Sequence, residues 1–143
     1  MEIKNTMELK LPSLSINEGF ARSVVGAFAT QLDPTLEDIA DIKTAVSEAV
    51  TNAIVHAYPD KQGEIRIYAT LENRMIKVVV QDQGVGIRDI EQARQPFYST
   101  TGDESRSGMG FTVMETFMDE VKIDSTPGKG TTVKLKKMIA AQG

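Results

Sequence analysis

Glu48 and Asn52 stand four residues apart in the string Ser47-Glu48-Ala49-Val50-Thr51-Asn52-Ala53, a spacing that stacks two side chains on one face of a helix. Asn52 neighbours an apolar stripe, where an amide is unfavourable unless it is satisfied. A hydrogen bond to a neighbouring strand would satisfy it. So would a Mg²⁺ ion, which takes oxygen ligands and shares them among protein, water and phosphates. A second string, Asp82-Gln83-Gly84-Val85-Gly86-Ile87, follows an apolar run. Its glycines allow a tight turn and a close backbone approach to a ligand, and a carboxylate at a strand end can accept from an exocyclic amine. An ordinary turn would look the same. The third, Arg106-Ser107-Gly108-Met109-Gly110-Phe111, reads as the start of a helix, whose free N–H groups and partial positive charge suit a phosphate. Arg106 would add charge-assisted bonds. The fourth, Gly128-Lys129-Gly130-Thr131-Thr132, is a hairpin turn that also brings a Thr hydroxyl to a strand end.

The elements that must position these groups are legible from periodicity. Met7 to Leu11 alternates as a strand stopped by Pro12. Ser15 and Glu18 have capping-box spacing, which predicts a helix from about Ile16. Phe20, Val24, Phe28 and Leu32 form its expected buried stripe. Thr35 and Asp38 open a second helix, with a stripe from Ile39 through Ala57 and a stop at Pro59. Ile65 to Leu71 and Met75 to Val80 form a hairpin across Glu72-Asn73-Arg74. A short helix near Ile90 to Arg94, a polar lid over Tyr98 to Ser107, a helix from Met109 to Met118 and a final hairpin of Val121 to Ser125 with Thr131 to Lys137 complete the chain. Hairpin-linked strands grouped between helices predict an α+β fold. It is a two-layer sandwich with a mixed, mostly antiparallel sheet and helices on one face. The same pattern argues against a doubly wound parallel sheet, whose strands need crossover helices.

Composition bounds the function. A length of 143 residues fits one domain, taken as residues 1–143, and 41% hydrophobic with 25% charged residues is an ordinary globular balance. The absence of cysteine excludes disulfides, thiolate metal sites and a Cys nucleophile, and suits the cytosol. No signal peptide and no membrane span are apparent, so a cytoplasmic protein without membrane contact is expected. A net charge of −4 disfavours direct, non-specific binding of nucleic acid.

Each motif alone is weak, but their order carries more. Glu-x-x-x-Asn on a helix, Asp-x-Gly-x-Gly after a hairpin, Gly-x-Gly opening a helix and Gly-Thr-Thr on a closing strand resemble the four motifs of the Bergerat (GHKL) ATPase/kinase family. No P-loop and no dinucleotide fingerprint competes. The only histidine, His56, falls in the last turn of the second helix, where the dipole favours positive charge. It reads as structural or site-lining and not as a phospho-acceptor. Ser47 to Ala53, Ala93-Arg94-Gln95-Pro96, Arg106 to Phe111, Met114-Glu115 and Phe117-Met118-Asp119 are similar to the anti-sigma-factor serine kinases of the sporulation type. The similarity spans about residues 7–136.

That resemblance implies ATP/ADP and Mg²⁺ as ligands, phosphorylation of a serine on an anti-anti-sigma protein, and sequestration of an RNA polymerase sigma factor by a homodimer. It assigns Glu48 as general base and Asn52 as the Mg²⁺ ligand. The nucleotide falls to Asn52, Asp82, Gly84, Gly86, Ile87, Arg106, Ser107, Gly108, Met109, Gly110 and Thr131. Asp82 and Thr131 hold adenine. Opposite the expected stripe of the first helix lie Gly19, Arg22, Ser23, Gly26, Ala29 and Thr30. Helical glycine costs about 1 kcal/mol relative to alanine, so these small residues suggest close approach of another chain, with Arg22 as its charged contact. A solvated face tolerant of small residues fits the spacing equally well. Two alternatives remain: a general-stress anti-sigma kinase of the same family, and a non-catalytic nucleotide-gated binding module.

Overall fold

The computed structural model describes residues 4–58, 61–87 and 110–140. Five strands, β1 (Lys4–Pro12), β2 (Glu64–Glu72), β3 (Met75–Asp82), β4 (Glu120–Thr126) and β5 (Gly130–Met138), form one sheet in the order β1-β2-β3-β5-β4. Three α-helices are described: α1 (Asn17–Ala29), α2 (Leu36–Asn52) and α3 (Gly110–Phe117). A 3₁₀ turn (Thr30–Leu32) follows α1, and a π-helical turn (Ala53–Ala57) extends α2. Every strand pairing is antiparallel, so the sheet is less mixed than expected.

Alternation decides the layers. Ile65, Ile67, Ala69 and Leu71 of β2, with Ile76, Val78 and Val80 of β3 and Val133 and Leu135 of β5, turn inward and are buried. They meet Val25 and Phe28 of α1, Ile42, Val46 and Val50 of α2 and Met114 of α3 in one core. The two layers and the helix-covered face match the α+β expectation. The helices at 110–117 and the two hairpins also fall where the sequence places them. The predicted helix at 90–94 and the lid over 98–107 lie outside the described residues. Among the described residues no helix is long and apolar enough to cross a membrane.

Thr35 caps α2 as predicted. Its hydroxyl accepts the Asp38 N–H at 3.0 Å, and the Asp38 carboxylate accepts the Thr35 N–H at 3.4 Å. The predicted box at Ser15 and Glu18 does not form. Ile16 is already helical and occupies the cap without a side-chain bond. The Glu18 carboxylate is instead drawn across to α2, where it accepts the Ser47 hydroxyl, and it also accepts from Arg22 at 3.4 Å. β1 likewise runs through Pro12, because a proline at a strand end on the sheet edge removes no bond the ladder needs.

The buried stripe of α1 is rotated from the predicted one. Ala21, Val25, Phe28, Ala29 and Leu32 are buried, whereas Phe20 is 52% exposed. A four-residue repeat drifts around a helix of 3.6 residues per turn, so Phe20 and Leu32 cannot share a narrow face. Part of the small-residue face is thereby used within the chain. Glu18 meets Ser47 and Gly26 meets Lys43, so α1 and α2 run antiparallel. A Cβ on Gly26 would come within 3.0 Å of the Lys43 stem. Close packing of α2 therefore explains Gly26 and Ala29, while Gly19, Arg22 and Ser23 stay at or near the surface.

Candidate functional site

A cavity opens between the C-terminal end of α2, the ends of β3 and β5 and the start of α3. It is lined by Asn52, His56, Asp82, Gly86, Ile87 and Thr131, with Ala49, Ala53, Ala57, Val80, Val85, Phe111 and Val133 as its apolar wall. About 710 Å³ within it is free of atoms, part of it open to solvent. The lining is mostly apolar, and the convergent polar groups are few enough to act as specific readers.

Asp82 is the polar pole. It is only 8% exposed, and its Oδ1 accepts the N–H of Gly84 at 2.9 Å and of Thr131 at 3.2 Å. Burial pushes its carboxyl above the ordinary range, and the two backbone donors only partly offset this. Oδ2 is left as a second acceptor on the same buried group. Beside it, Ser125 Oγ accepts the Ile87 N–H at 2.7 Å and donates to the Gly130 carbonyl at 3.1 Å. Its single proton is then used, so in its 2.8 Å contact with Thr131 Oγ1 the threonine is the donor. Thr131 Oγ1 keeps its lone pairs, and the cavity thus has two neighbouring acceptors, suited to an exocyclic amine.

Two glycines make this geometry sterically possible. A Cβ on Gly84 would stand 2.1 Å from the Ala57 carbonyl oxygen, and one on Gly130 would stand 2.2 Å from that of Asp82. Gly130 also has φ +120°, open to glycine almost alone. Behind the loop, Val85 N–H bonds to the Ala57 carbonyl at 2.9 Å. The π turn makes that contact available. One widened turn after Asn52 turns Ala57 toward the glycine loop, consistent with the frequent occurrence of π-bulges at functional sites.

Asn52 lines the same cavity, and its amide nitrogen is buried with no hydrogen-bond partner among the described residues. The two ends of an amide are interchangeable by rotation, so an oxygen donor can be presented here. Among the described residues no cluster of three or more acidic, His or Cys side chains could hold a metal alone. The donor set therefore fits a hard cation that draws most of its ligands from water and phosphate.

Glu48 lies outside the cavity, one helical turn before Asn52. It lines a groove between α1 and α2 together with Arg22, Ser23, Lys43, Thr44 and Ser47. Burial, and then the negative charge of Glu18, raise its carboxyl above the ordinary value. A carboxylate so placed takes up a proton more readily. Arg22 pairs with Glu18 at 3.4 Å across one turn of α1. Gly110 opens α3, while Arg106, Ser107, Gly108 and Met109 lie outside the described residues. Gly84 stands behind the cavity and braces Asp82. Sequence reasoning missed Glu18, Ser47 and Ser125. The first two act across α1 and α2, a pairing that no spacing within one helix reveals.

A buried carboxylate beside a hydroxyl acceptor, an unpartnered amide and a carboxylate one turn away, all on an α+β sandwich, can be compared with known proteins. Residues 12–137 match the profile of the histidine kinase-like ATPase domain. The anti-sigma F factor of Caldanaerobacter subterraneus subsp. tengcongensis is 60% identical over 139 residues, covering 97% of each chain. That of Clostridium acetobutylicum is 54% identical over 138 residues, with 96% of each chain covered. The Bacillus subtilis protein is 50% identical over 139 residues, covering 96% of this chain and 95% of that one. The chain belongs to the anti-sigma F factor family of histidine kinase-like ATPase domains.

Solved structures agree on the fold of this anti-sigma F family member. The RsbU and RsbW domains of Rv1364c from Mycobacterium tuberculosis superpose with a TM-score of 0.68 at 21% identity, covering 94% of this chain and 32% of that one. The catalytic domain of the histidine kinase ThkA gives 0.57 at 16% identity, with 94% and 96% covered.

Proposed function

We propose that this chain is an anti-sigma factor that binds ATP or ADP with Mg²⁺ and phosphorylates a serine of an anti-anti-sigma protein. One observation carries the reading. Along a single helix, α2, the Asn52 amide, whose nitrogen has no partner among the described residues, lies in the cavity, and one turn back a half-buried Glu48 faces the outer groove. A nucleotide lying in the cavity would turn its terminal phosphate toward the groove, where a protein serine can approach.

Asp82 Oδ2 and Thr131 Oγ1 accept from the adenine amine, and the apolar wall holds the ring. Asn52 would supply an oxygen to Mg²⁺, and the ion when bound would neutralise phosphate charge. Arg106 and the backbone from Ser107 to Gly110 take the terminal phosphate. Glu48 removes the proton of the incoming serine hydroxyl. The serine oxygen then forms a bond to the γ-phosphorus as the bond from that phosphorus to the bridging oxygen breaks, and ADP leaves. Phosphoryl transfer depends mostly on such positioning and charge stabilisation.

Arg22, 43% exposed on its side chain at the rim of the same groove, is the charged contact for both protein partners. A homodimer sequesters the sigma factor in the cytoplasm. Identity of 50–60% to proteins named anti-sigma F factor supports a sigma-F-like sporulation sigma factor as the partner over a general-stress one. The test is incubation of purified protein with labelled Mg·ATP and the anti-anti-sigma partner. Transfer of label to a serine is expected, together with retention of the sigma factor on the immobilised protein. Retention without label would leave a nucleotide-gated binding module and remove the kinase.

A further inference from the structure

Tyr58 follows the π turn and is 7% exposed. Its ring packs so closely on Gly63 that a Cβ there would come within 2.2 Å of Cε1, which fixes the ring in place. Its hydroxyl donates to the Glu64 carbonyl at 2.9 Å and accepts the Gln83 N–H at 2.7 Å. These two partners are not unrelated. The β2–β3 ladder ends at the pair Ile65 and Asp82, and one further step would set Glu64 opposite Gln83. A phenol oxygen therefore stands where the next ladder bond would run. It ends β3 at Asp82 while leaving neither backbone group unsatisfied.

The course of the loop beyond β3 depends on that splice. Released from β2, residues 83–85 turn so that Gly84 N–H reaches Asp82 Oδ1 and Val85 N–H reaches the Ala57 carbonyl. A direct bond between Gln83 and Glu64 would keep the chain in strand geometry and draw the Gly84 N–H away from the carboxylate. We infer that Tyr58 is the positioning residue for adenine selectivity: its hydroxyl, inserted between Glu64 and Gln83, holds the 82–85 backbone so that Asp82 presents its second oxygen to the base. This rests on the reading of the cavity as an adenine site.

The test uses the whole chain and compares wild type with Tyr58→Phe, which keeps the ring and removes only the hydroxyl. Titration calorimetry with Mg·ADP, Mg·GDP and the diphosphate of purine riboside, which lacks the 6-amino group, reads the effect. Wild type is expected to favour ADP over the other two. In Tyr58→Phe the ADP Kd rises on the order of tenfold, the scale of one unsatisfied buried group. The preference for ADP over purine riboside diphosphate shrinks by a similar factor. A residue that merely supports the fold would lower the melting temperature but leave that preference intact. Unchanged ADP affinity and preference in the variant, within twofold, overturn the inference while the cavity reading stands. Wild type that binds no adenine nucleotide removes both. If the variant does not fold, amide exchange in wild type decides: slow exchange at Gln83 supports the splice, and exchange at the unprotected rate overturns it.

Discussion

Asp82→Asn separates reading of a ligand from support of the fold. The wild-type carboxylate spends Oδ1 on the N–H groups of Gly84 and Thr131 and has Oδ2 left for the base. Asparagine keeps one oxygen for the two backbone donors but puts an NH₂ where Oδ2 was, so a donor faces the amine it should accept from. The lost bond is charge-assisted and worth about 1.5–3 kcal/mol, which is roughly 10- to 150-fold in Kd at about 1.4 kcal/mol per decade. Stability should move the other way. Burial raises the folded pKa of Asp82 above its ordinary 3.8. Between that value and the raised one the folded state holds the proton longer, so this group's contribution to stability falls as pH rises through the window and remains an ionisation cost above it. Asparagine carries no such cost. At pH 7 the variant should therefore melt no lower than wild type without nucleotide, while calorimetry shows Mg·ADP binding weakened at least tenfold. An ADP Kd within twofold of wild type, or a loss of affinity matched by a collapse of the melting temperature, would refute the assignment of Asp82 as a base reader.

Glu48→Gln should lower the rate of phosphoryl transfer by about 10²–10⁴-fold, the usual weight of a general base, with Mg·ADP affinity within twofold by calorimetry. Gly84→Ala should abolish nucleotide binding, since its Cβ would stand 2.1 Å from the Ala57 carbonyl oxygen and the loop must move. Thr35→Ala should cost about 1 kcal/mol, read as a melting temperature lower by about 2–4 °C, with transfer activity intact. Arg22→Glu should weaken both protein partners in a pull-down while leaving Mg·ADP binding unchanged; equal capture by wild type and variant would remove Arg22 from the interface.

The fold was legible wherever a regular period met one buried face. β2 and β3 alternate cleanly because one side faces the core and the other faces outward, and Thr35 with Asp38 marks the start of α2 without help from tertiary structure. The same local logic failed at Ser15, where Glu18 had a stronger claim on it from Ser47 across the interhelical contact. It failed again on α1, whose buried face is set by where α2 lies. Residues of the cavity were legible by type and order, since Asp82 and Thr131 stand opposite each other at the paired ends of β3 and β5 and Gly86 lies in the loop just beyond. Tyr58 and Ser125 were not. Each acts through hydroxyl bonds to backbone groups that are distant in sequence, and a hydroxyl near a turn carries no local mark of its partner. The π turn was equally hidden, because Ala53 to Ala57 continues the apolar period of α2 and only the packing of Ala57 on the glycine loop reveals the widening.

Helix α2 orders the chemistry in space. Its rise of about 1.5 Å per residue sets Glu48 in the outer groove about 6 Å before Asn52 in the cavity, and the π turn carries His56 on to the same cavity wall. On the proposed reading Glu48 meets the incoming serine and Asn52 meets metal and phosphate, in the order in which those groups line up along a nucleotide approached by a serine. The helix must then be held at both ends for the order to mean anything. At the groove end Glu18 accepts from Ser47 and tethers α2 to α1. At the cavity end Val85 bonds to Ala57 and ties the π turn to the loop after β3. The first tether runs directly to Arg22, which shares Glu18 as its partner. A protein that takes Arg22 for itself strips Glu18 of its cation and leaves its full negative charge facing Glu48, the charge that already raises the Glu48 carboxyl. On the proposed reading, docking at the rim and proton uptake at Glu48 would be joined through this single carboxylate on α1. Glu18→Gln should accordingly weaken the response of the transfer rate to partner docking more than it weakens nucleotide binding. Transfer kinetics against partner concentration, set beside the Mg·ADP Kd, read the two effects separately, and equal losses in both would break the link.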